Sequence, residues 1–201
     1  MTESELSTAP LTHALKEWDI VCRALQAGSQ AILLRKGGIY ESAGVFELEH
    51  SRFALYPTFV HQHLPSIKPA HRATVVAQQQ EPSEITITAW AECRQIIPVP
   101  CRAQLEQLDD LHLWDKPLLD MRFAYRPDYP LYLVLLRAWR LPQPVQMAAH
   151  PDYAGCKSWV PLKQSIATQG SVPALPLQEL NRLEQRIGIA FAARRTLEAQ
   201  P

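Results

Sequence analysis

The sequence predicts an α+β fold: a small mixed and partly closed β-sheet or barrel, flanking helices and a C-terminal amphipathic helix. Residues 85–91 alternate apolar and polar side chains, residues 131–139 are almost continuously apolar, and residues 177–191 carry apolar side chains at helical spacing. These patterns are typical of a half-buried strand, a central strand and an amphipathic helix, respectively. Long and varied connections between the strands favour α+β over a doubly wound sheet.

The composition is that of a folded protein with one sizeable core. The chain has 201 residues, of which 47% are hydrophobic and 20% are charged. We expect a disordered arm over residues 1–11, a single α+β domain over residues 12–169, and a linker with the C-terminal helix over residues 170–201.

The charge balance limits the class of ligand and the compartment. Twenty Lys and Arg residues balance twenty Asp and Glu residues, so any site for a polyanion must be a local patch on a neutral body. The N-terminus lacks the basic start and apolar stretch of a signal peptide, and the apolar run 131–136 is too short to span a bilayer. The four cysteines show no CxxC spacing. These features predict a cytoplasmic protein with reduced thiols and no membrane partner.

The remaining elements follow from local patterns. We expect a helix from Thr12 that ends at Gly28, a buried strand over residues 31–34, and a hairpin or bent strand system over residues 45–56. A short helix is expected over residues 103–111. Irregular chain is expected after Pro142, and a further helix near residues 159–166.

Several runs of residues resemble domain-of-unknown-function family 1802, which is found in cyanobacteria and other bacteria. The matching runs are His13-Ala-Leu-Lys-Glu-Trp18, residues 33–39, Phe53-Ala-Leu-Tyr-Pro-Thr58 with His61-Gln62, residues 139–144 and residues 153–159. The resemblance covers about residues 12–163. It implies little about activity, because that family has no settled function.

The order of elements is also similar to that of the PUA-like barrels, which include the ASCH and EVE domains. A helix and a glycine precede a basic strand, and late strands end at Pro142 and Pro144. Members of that group commonly bind RNA or modified bases, so this resemblance implies an RNA or nucleotide ligand. The glycine–lysine–glutamate signature of ASCH domains is not reproduced in this chain.

Two stretches of chain are candidates for binding a ligand. Arg35-Lys36-Gly37-Gly38 places two cations at a strand end, beside glycines that let backbone amides approach a phosphate or carboxylate. The alternative for this stretch is a tight turn with solvated charges. The second stretch is the loop over residues 56–62, where polar groups that could form hydrogen bonds cluster. The aromatic ring of Tyr56 with basic neighbours suits base stacking. The candidates outside the basic turn are Arg52, Tyr56, Thr58, His61 and Gln62.

We therefore expect a non-catalytic binding domain for RNA, a nucleotide or another phosphate-bearing ligand, without a cofactor. This expectation requires that the basic turn and the loop around Tyr56 share one concave surface.

Two other functions stay open at the level of sequence. A metal-dependent phosphodiesterase would need clustered carboxylates, and Glu41, Glu47 and Glu49 lie near His50 in the chain. A solvated strand face explains these glutamates as well, and no cysteine or carboxylate completes a metal site around His61-x-His63, so no metal is predicted. A protein-interaction module could instead self-associate through residues 177–199.

A covalent mechanism through Cys156 is the least favoured alternative. A neighbouring lysine could lower the pKa of this thiol, but a catalytic cysteine also needs an oriented base. Packing of Tyr153, Cys156 and Trp159 under a loop is the simpler interpretation.

Overall fold

The computed structural model describes residues 9–36, 39–42, 45–155 and 157–192, with the backbone alone for residues 39–42 and 45–47. Within these residues nine strands form, which are β1 Leu11–Trp18, β2 Ile32–Arg35, β3 Ile39–Ser42, β4 Val45–Leu48, β5 Arg52–Thr58, β6 Glu84–Val99, β7 Leu131–Ala148, β8 Trp159–Ile166 and β9 Val172–Pro173. The α-helices in the same part of the chain are α1 Asp19–Ala27, α2 Pro69–Arg72, α3 Arg102–Glu106, α4 Lys116–Ala124 and α5 Leu177–Ala192. Short 3₁₀ turns lie at Leu64–Ser66, Asp109–Leu111 and Pro151–Tyr153.

Seven strands form one mixed sheet. Its order is β2-β7-β6-β5-β1-β8, and β9 adds to β7. The β1–β5 pair is parallel and the other neighbouring strands are antiparallel. Strands β3 and β4 form a separate antiparallel hairpin. The predicted α+β class, with a mixed sheet, flanking helices and a C-terminal helix, is confirmed, and the sheet is not closed into a barrel.

The long antiparallel pair β6–β7 runs through the middle of this sheet. Its register extends from Glu84 opposite Ala148 to Val99 opposite Leu131. Two irregularities interrupt it. At the first, the four residues 141–144 of β7 lie opposite the single residue Thr88 of β6. At the second, Arg94 is an extra residue on β6. Such bulges bend a strand and increase its local twist.

Each face of the sheet covers its own core. Side chains alternate between the faces along a strand, so Leu15 and Leu55 pack with the helices in the first core. Ala14 and Tyr56 face the second core, which is completed by residues of β6, β7 and β8.

The predicted helix from Thr12 was wrong over its first half, because residues 11–18 form strand β1 and the helix begins only at Asp19. The apolar residues of this stretch are shared between the two cores, with Leu11 and Ala14 in the second and Leu15 in the first. Two-sided burial produces an apolar spacing that local inspection cannot distinguish from that of a helix.

Two further expectations were wrong for related reasons. Residues 159–166 form strand β8 rather than a helix, since Val160 pairs with Ala14 of β1 and is buried in the second core. Strand β7 does not end at Pro142 but continues to Ala148. Pro142 and Pro144 lie in the bulge opposite Thr88, where a missing backbone N–H removes no ladder hydrogen bond.

Helix α4 was not predicted. Its N-terminus is nevertheless marked in the sequence, because the carboxylate of Asp115 accepts a hydrogen bond from the backbone N–H of Lys116 at 2.7 Å and Pro117 follows. Helix α5 was predicted, and its side chains Leu180 and Ile187 are buried against the first core. No helix in the described ranges has the length and apolar character needed to cross a membrane.

Gly28 ends helix α1 in a left-handed backbone conformation that residues with a side chain rarely adopt. Its φ is +75°, and a Cβ atom there would lie 2.5 Å from the carbonyl oxygen of Ala174. We expect Gly28→Ala to lower the free energy of unfolding by about 2 kcal/mol, because a left-handed conformation and a backbone clash act together. Gly188→Ala is the matched control, since this glycine lies inside α5 with open space around it and alanine should stabilise the helix by about 1 kcal/mol. Urea unfolding of both variants tests this, and equal effects would contradict the assignment.

His112 is a buried histidine whose charge opposes folding. Its side chain is 4% exposed, and neither ring nitrogen has a hydrogen-bond partner. Burial, and secondarily the charge of Lys68, lowers the pKa of His112 to about 4. The neutral imidazole is therefore the form that the folded protein accepts.

This burial predicts a pH-dependent stability. The pKa of His112 in the folded state lies below its unfolded value near 6.5, so the stabilisation is present above pH 6.5 and is lost as the pH falls toward 4. We expect a loss of about 2 kcal/mol between pH 7 and pH 5 through this residue. His112→Leu should remove that part of the pH dependence in urea unfolding, whereas His71→Leu, at an exposed position, should retain it. The same pH dependence in both variants would refute the assignment.

Candidate functional site

A cavity of about 420 Å³ lies beside the paired ends of β1 and β5. Its wall includes three aromatic side chains, Trp18, Tyr56 and Tyr153. The ionisable groups that line it are Lys16, His61, Glu81 and His150. Aromatic surface with a few convergent polar groups is typical of a site for a small ligand.

Lys16 ties two distant parts of the chain together at this cavity. Its ammonium group donates hydrogen bonds to the carbonyl oxygens of Tyr153 and Gly155, the latter at 3.0 Å. Strand β1 directs Lys16 to the same face as Ala14, so the ammonium reaches the turn before β8. The cation therefore fixes the 153–155 turn and contributes positive charge to the cavity.

Tyr56 and Tyr153 form the aromatic wall. Their rings meet edge to face with centroids 5.7 Å apart, and the Tyr153 hydroxyl accepts a hydrogen bond from the backbone N–H of Lys163 at 2.9 Å. Burial raises the pKa of Tyr56 to about 12, with smaller contributions from Glu81 and Tyr153. Tyr56 is therefore a neutral phenol at physiological pH, which suits it to hydrogen bonding rather than to proton abstraction.

The loop that carries His61 is held from both ends. The carboxylate of Glu81 accepts hydrogen bonds from the backbone N–H groups of Phe59 and Val60 at 3.0 to 3.1 Å. Gln62 is buried, where its side chain accepts from the N–H of Ile20 and donates to the carbonyl of Val76. Gln62 thus positions the loop from inside the protein.

His61 itself has a backbone conformation that is uncommon for residues other than glycine. Its φ is +72° and its side chain is exposed at the cavity. A non-glycine residue in the left-handed region costs about 1 kcal/mol or more. The clamped loop sustains this conformation and presents the imidazole to the cavity.

His150 also lines the cavity, although it is far from this loop in sequence. Its Nδ1 accepts a hydrogen bond from the backbone N–H of Asp152 at 3.1 Å, which fixes the 3₁₀ turn that contains Tyr153. Asp152 also pairs with Lys163 at 2.6 Å. This ion pair joins the turn to strand β8 next to the aromatic wall.

The structure brings together only part of the predicted ligand site. Tyr56, Thr58 and His61 line the cavity, and the Thr58 hydroxyl donates to the carbonyl of Glu17 at 3.0 Å. Arg35 and Lys36 do not line it, and both make contacts elsewhere in the protein. Gly37 and Gly38 lie outside the described residues.

Arg35 is buried and pairs with Glu17, with 2.5 Å between Nη1 and Oε1. Strand alternation places Glu17 on the Leu15 face of the sheet, whereas Lys16 and Tyr56 face the other way. Arg35 and the cavity therefore lie on opposite faces of the sheet.

Arg52 also has a role within the protein. Its guanidinium lies 4.9 Å from the centre of the Trp90 ring and donates to the carbonyl of Ala9 and the hydroxyl of Thr168. The stacked pair Trp90–Trp139 lies beneath it in the second core.

Of the three glutamates in the alternative catalytic site, only the side chain of Glu49 is among the described residues. The side chains of Glu41 and Glu47, like Cys156, lie outside the described residues. Glu49 is exposed, with its carboxylate 3.9 Å from Nε2 of His50, and the His50 ring stacks on His13 at 3.7 Å. In the part of the chain that the structure describes, no three His, Cys, Asp or Glu side chains are grouped so as to hold a metal ion.

Among the cavity residues that sequence reasoning missed are Lys16, Glu81, His150 and Tyr153, and also the aromatic residue Trp18. Lys16 and Trp18 were assigned to a helix, and the other three lie far from the Tyr56 loop in sequence. The Tyr153-Ala-Gly155 turn carried a local pattern, but nothing in that pattern connects it to Lys16.

The chain matches the family described as "Domain of unknown function (DUF1802)" over residues 14–186, and it belongs to this family. The resemblance to family 1802 noted in the sequence is thereby confirmed. No curated protein matches the chain.

Two crystal structures of mutant ZmASCH proteins from Zymomonas mobilis are similar to this chain. One is 12% identical, with 88% of this chain and 98% of that chain covered and a TM-score of 0.38. The other is 13% identical, with 86% and 96% covered and a TM-score of 0.37.

Lys36 joins the end of β2 to the C-terminal end of α4. Its ammonium group donates to the carbonyl oxygens of Phe123, Tyr125 and Arg126 at 3.3, 2.6 and 3.2 Å. A cation at the C-terminus of a helix is favourable because it neutralises unpaired carbonyls.

We therefore expect Lys36→Met to lower the free energy of unfolding by about 1 kcal/mol. Lys116→Met is the matched control, because Lys116 is exposed at the N-terminal end of the same helix, where a cation is unfavourable. This control should leave stability unchanged or raise it slightly in urea unfolding. Equal losses in the two variants would show that the contacts of Lys36 contribute nothing.

Proposed function

We propose that the cavity beside β1 and β5 binds a nucleotide unit, either free or within single-stranded RNA, without converting it chemically. The observation that supports this most is the combination of three aromatic side chains with Lys16, His61 and His150 around a space of about 420 Å³. Proteins that bind unpaired bases stack them on aromatic rings and hold their phosphates with cations.

The aromatic part of the cavity suits a base. Tyr56 and Tyr153 belong to the second core and line the cavity, and Trp18 lies at the end of β1. The neutral Tyr56 phenol offers a donor and an acceptor for a base edge, because its pKa of about 12 keeps its proton in place. A base therefore finds both a stacking surface and a hydrogen-bonding group.

The polar part suits a phosphate. Lys16 lines the cavity with its ammonium group at the 153–155 turn, and the exposed His61 adds an imidazole that can form hydrogen bonds. Cations that contact phosphates make nucleic-acid binding weaken with added salt, since binding releases counterions. A neutral protein with such a local group should bind RNA with a shallow dependence on salt.

His61→Gly tests the site without harming the fold. Glycine adopts a positive φ without strain, so this variant should be at least as stable as the wild type while lacking the imidazole. We expect it to bind a short fluorescent single-stranded RNA of mixed sequence about tenfold more weakly, which corresponds to about 1.4 kcal/mol. Fluorescence anisotropy measures the affinity, and thermal unfolding measures the stability.

Arg126→Gly is the matched control for this experiment. Arg126 also has a positive φ, of +46°, and carries a positive charge, but it does not line the cavity. Its replacement should raise stability in the same way and leave RNA affinity unchanged. If both variants bind RNA as the wild type does, or if both lose affinity equally, the cavity is not the binding site.

A further inference from the structure

Two arginines and one glutamate lie together on the face of the sheet opposite the cavity. Arg35 at the end of β2 pairs with Glu17 of β1, and the side chains of the two residues are only 9% and 11% exposed. Arg122 lies in the last turn of α4, whose C-terminal end is held by Lys36, the residue after Arg35. Burial lowers the pKa of Arg122 most, and the charges of Glu17 and Arg35 also act on its guanidinium, the first raising and the second lowering that pKa.

The contacts of Lys36 explain why Arg122 comes to this place. Lys36 follows Arg35 directly and donates to three carbonyls at the C-terminal end of α4. Arg122 belongs to the last turn of that helix. The clamp on the helix end therefore brings the Arg122 guanidinium toward the end of β2, where Arg35 is buried.

The hydrogen bonds of this group are incomplete. Nε and Nη2 of Arg35 and Nε of Arg122 are buried and have no acceptor. A buried donor without an acceptor costs more free energy than an ordinary hydrogen bond contributes, and more still when it is charged. The carboxylate of Glu17 balances only one of the two guanidinium charges, so both the donors and the charge call for a further anion.

We propose that a small oxyanion, inorganic phosphate or a phosphomonoester, binds between Arg35 and Arg122. Guanidinium groups hold phosphate oxygens through pairs of N–H donors, and two guanidiniums can approach a tetrahedral anion from different sides. This site is separate from the aromatic cavity, since Arg35 and its partner Glu17 lie on the first-core face. It does not depend on nucleotide binding at that cavity.

Thermal unfolding of the full chain in sodium phosphate and in sodium chloride at equal ionic strength tests this site. A ligand that binds only the folded state raises Tm, and at concentrations well above the Kd this rise grows with the logarithm of the ligand concentration. At a phosphate concentration ten times the Kd, the Tm should exceed that in chloride by roughly 4 °C. A wild-type protein with the same Tm in both salts would overturn the proposal without any variant.

Arg122→Gln assigns the effect to this group of residues. This variant keeps the Arg35–Glu17 pair and should lose the response to phosphate, whereas Arg126→Gln, an exposed arginine just beyond the same helix, should keep it. A phosphate response that persists in Arg122→Gln would place the anion elsewhere and refute the site.

The two proposed sites can fail independently. His61→Gly should respond to phosphate as the wild type does, because His61 belongs to the cavity and not to this group. Loss of the response in His61→Gly but not in Arg122→Gln would assign the phosphate to the cavity and overturn the separate site.

Discussion

The antiparallel pairing of β6 with β7 is the interaction on which the other strands depend. Strand β2 pairs with the first half of β7, β9 with its middle, and β5 with the middle of β6. The far end of the pair, from Glu84 and Ala148, leads directly to the chain segments that carry Glu81 and His150. At the other end of the pair, β6 continues into α3, and α4 precedes β7. One ladder thus sets the position of the cavity and of the helix that carries Arg122.

The sequence predicted the elements whose pattern is local and failed where burial is two-sided. Residues 85–91 and 131–139 have the alternating and continuous patterns of strands, and α5 has a clear apolar stripe. Strand β1 is different, because its backbone pairs with β5 on one edge and β8 on the other, and its apolar residues serve both cores. Pairing with residues more than a hundred positions away decides its structure, and no local spacing contains that information.

The candidate site was predicted in the same partial way. Tyr56, Thr58 and His61 were found because they are close in sequence and remain close in space. Lys16 and Tyr153 were missed because their contact joins residues 137 positions apart. The pair Arg35-Lys36 was predicted to hold a phosphate or carboxylate, whereas in the structure its charges make contacts inside the protein. A cation that pairs with distant carbonyls or a buried carboxylate cannot be told from a surface cation in the sequence.

Strand β1 links the two proposed sites through a single peptide bond. Were residues 12–18 helical, the side chains of Lys16 and Glu17 would differ by about 100° and lie on neighbouring parts of one helix surface. In a strand they point to opposite faces, so Lys16 reaches the 153–155 turn and Glu17 reaches Arg35. The strand conformation therefore places the ammonium of Lys16 and the carboxylate of Glu17 on opposite faces of the sheet. It leaves positive charge beside the aromatic wall on one face and only partial neutralisation of two guanidiniums on the other.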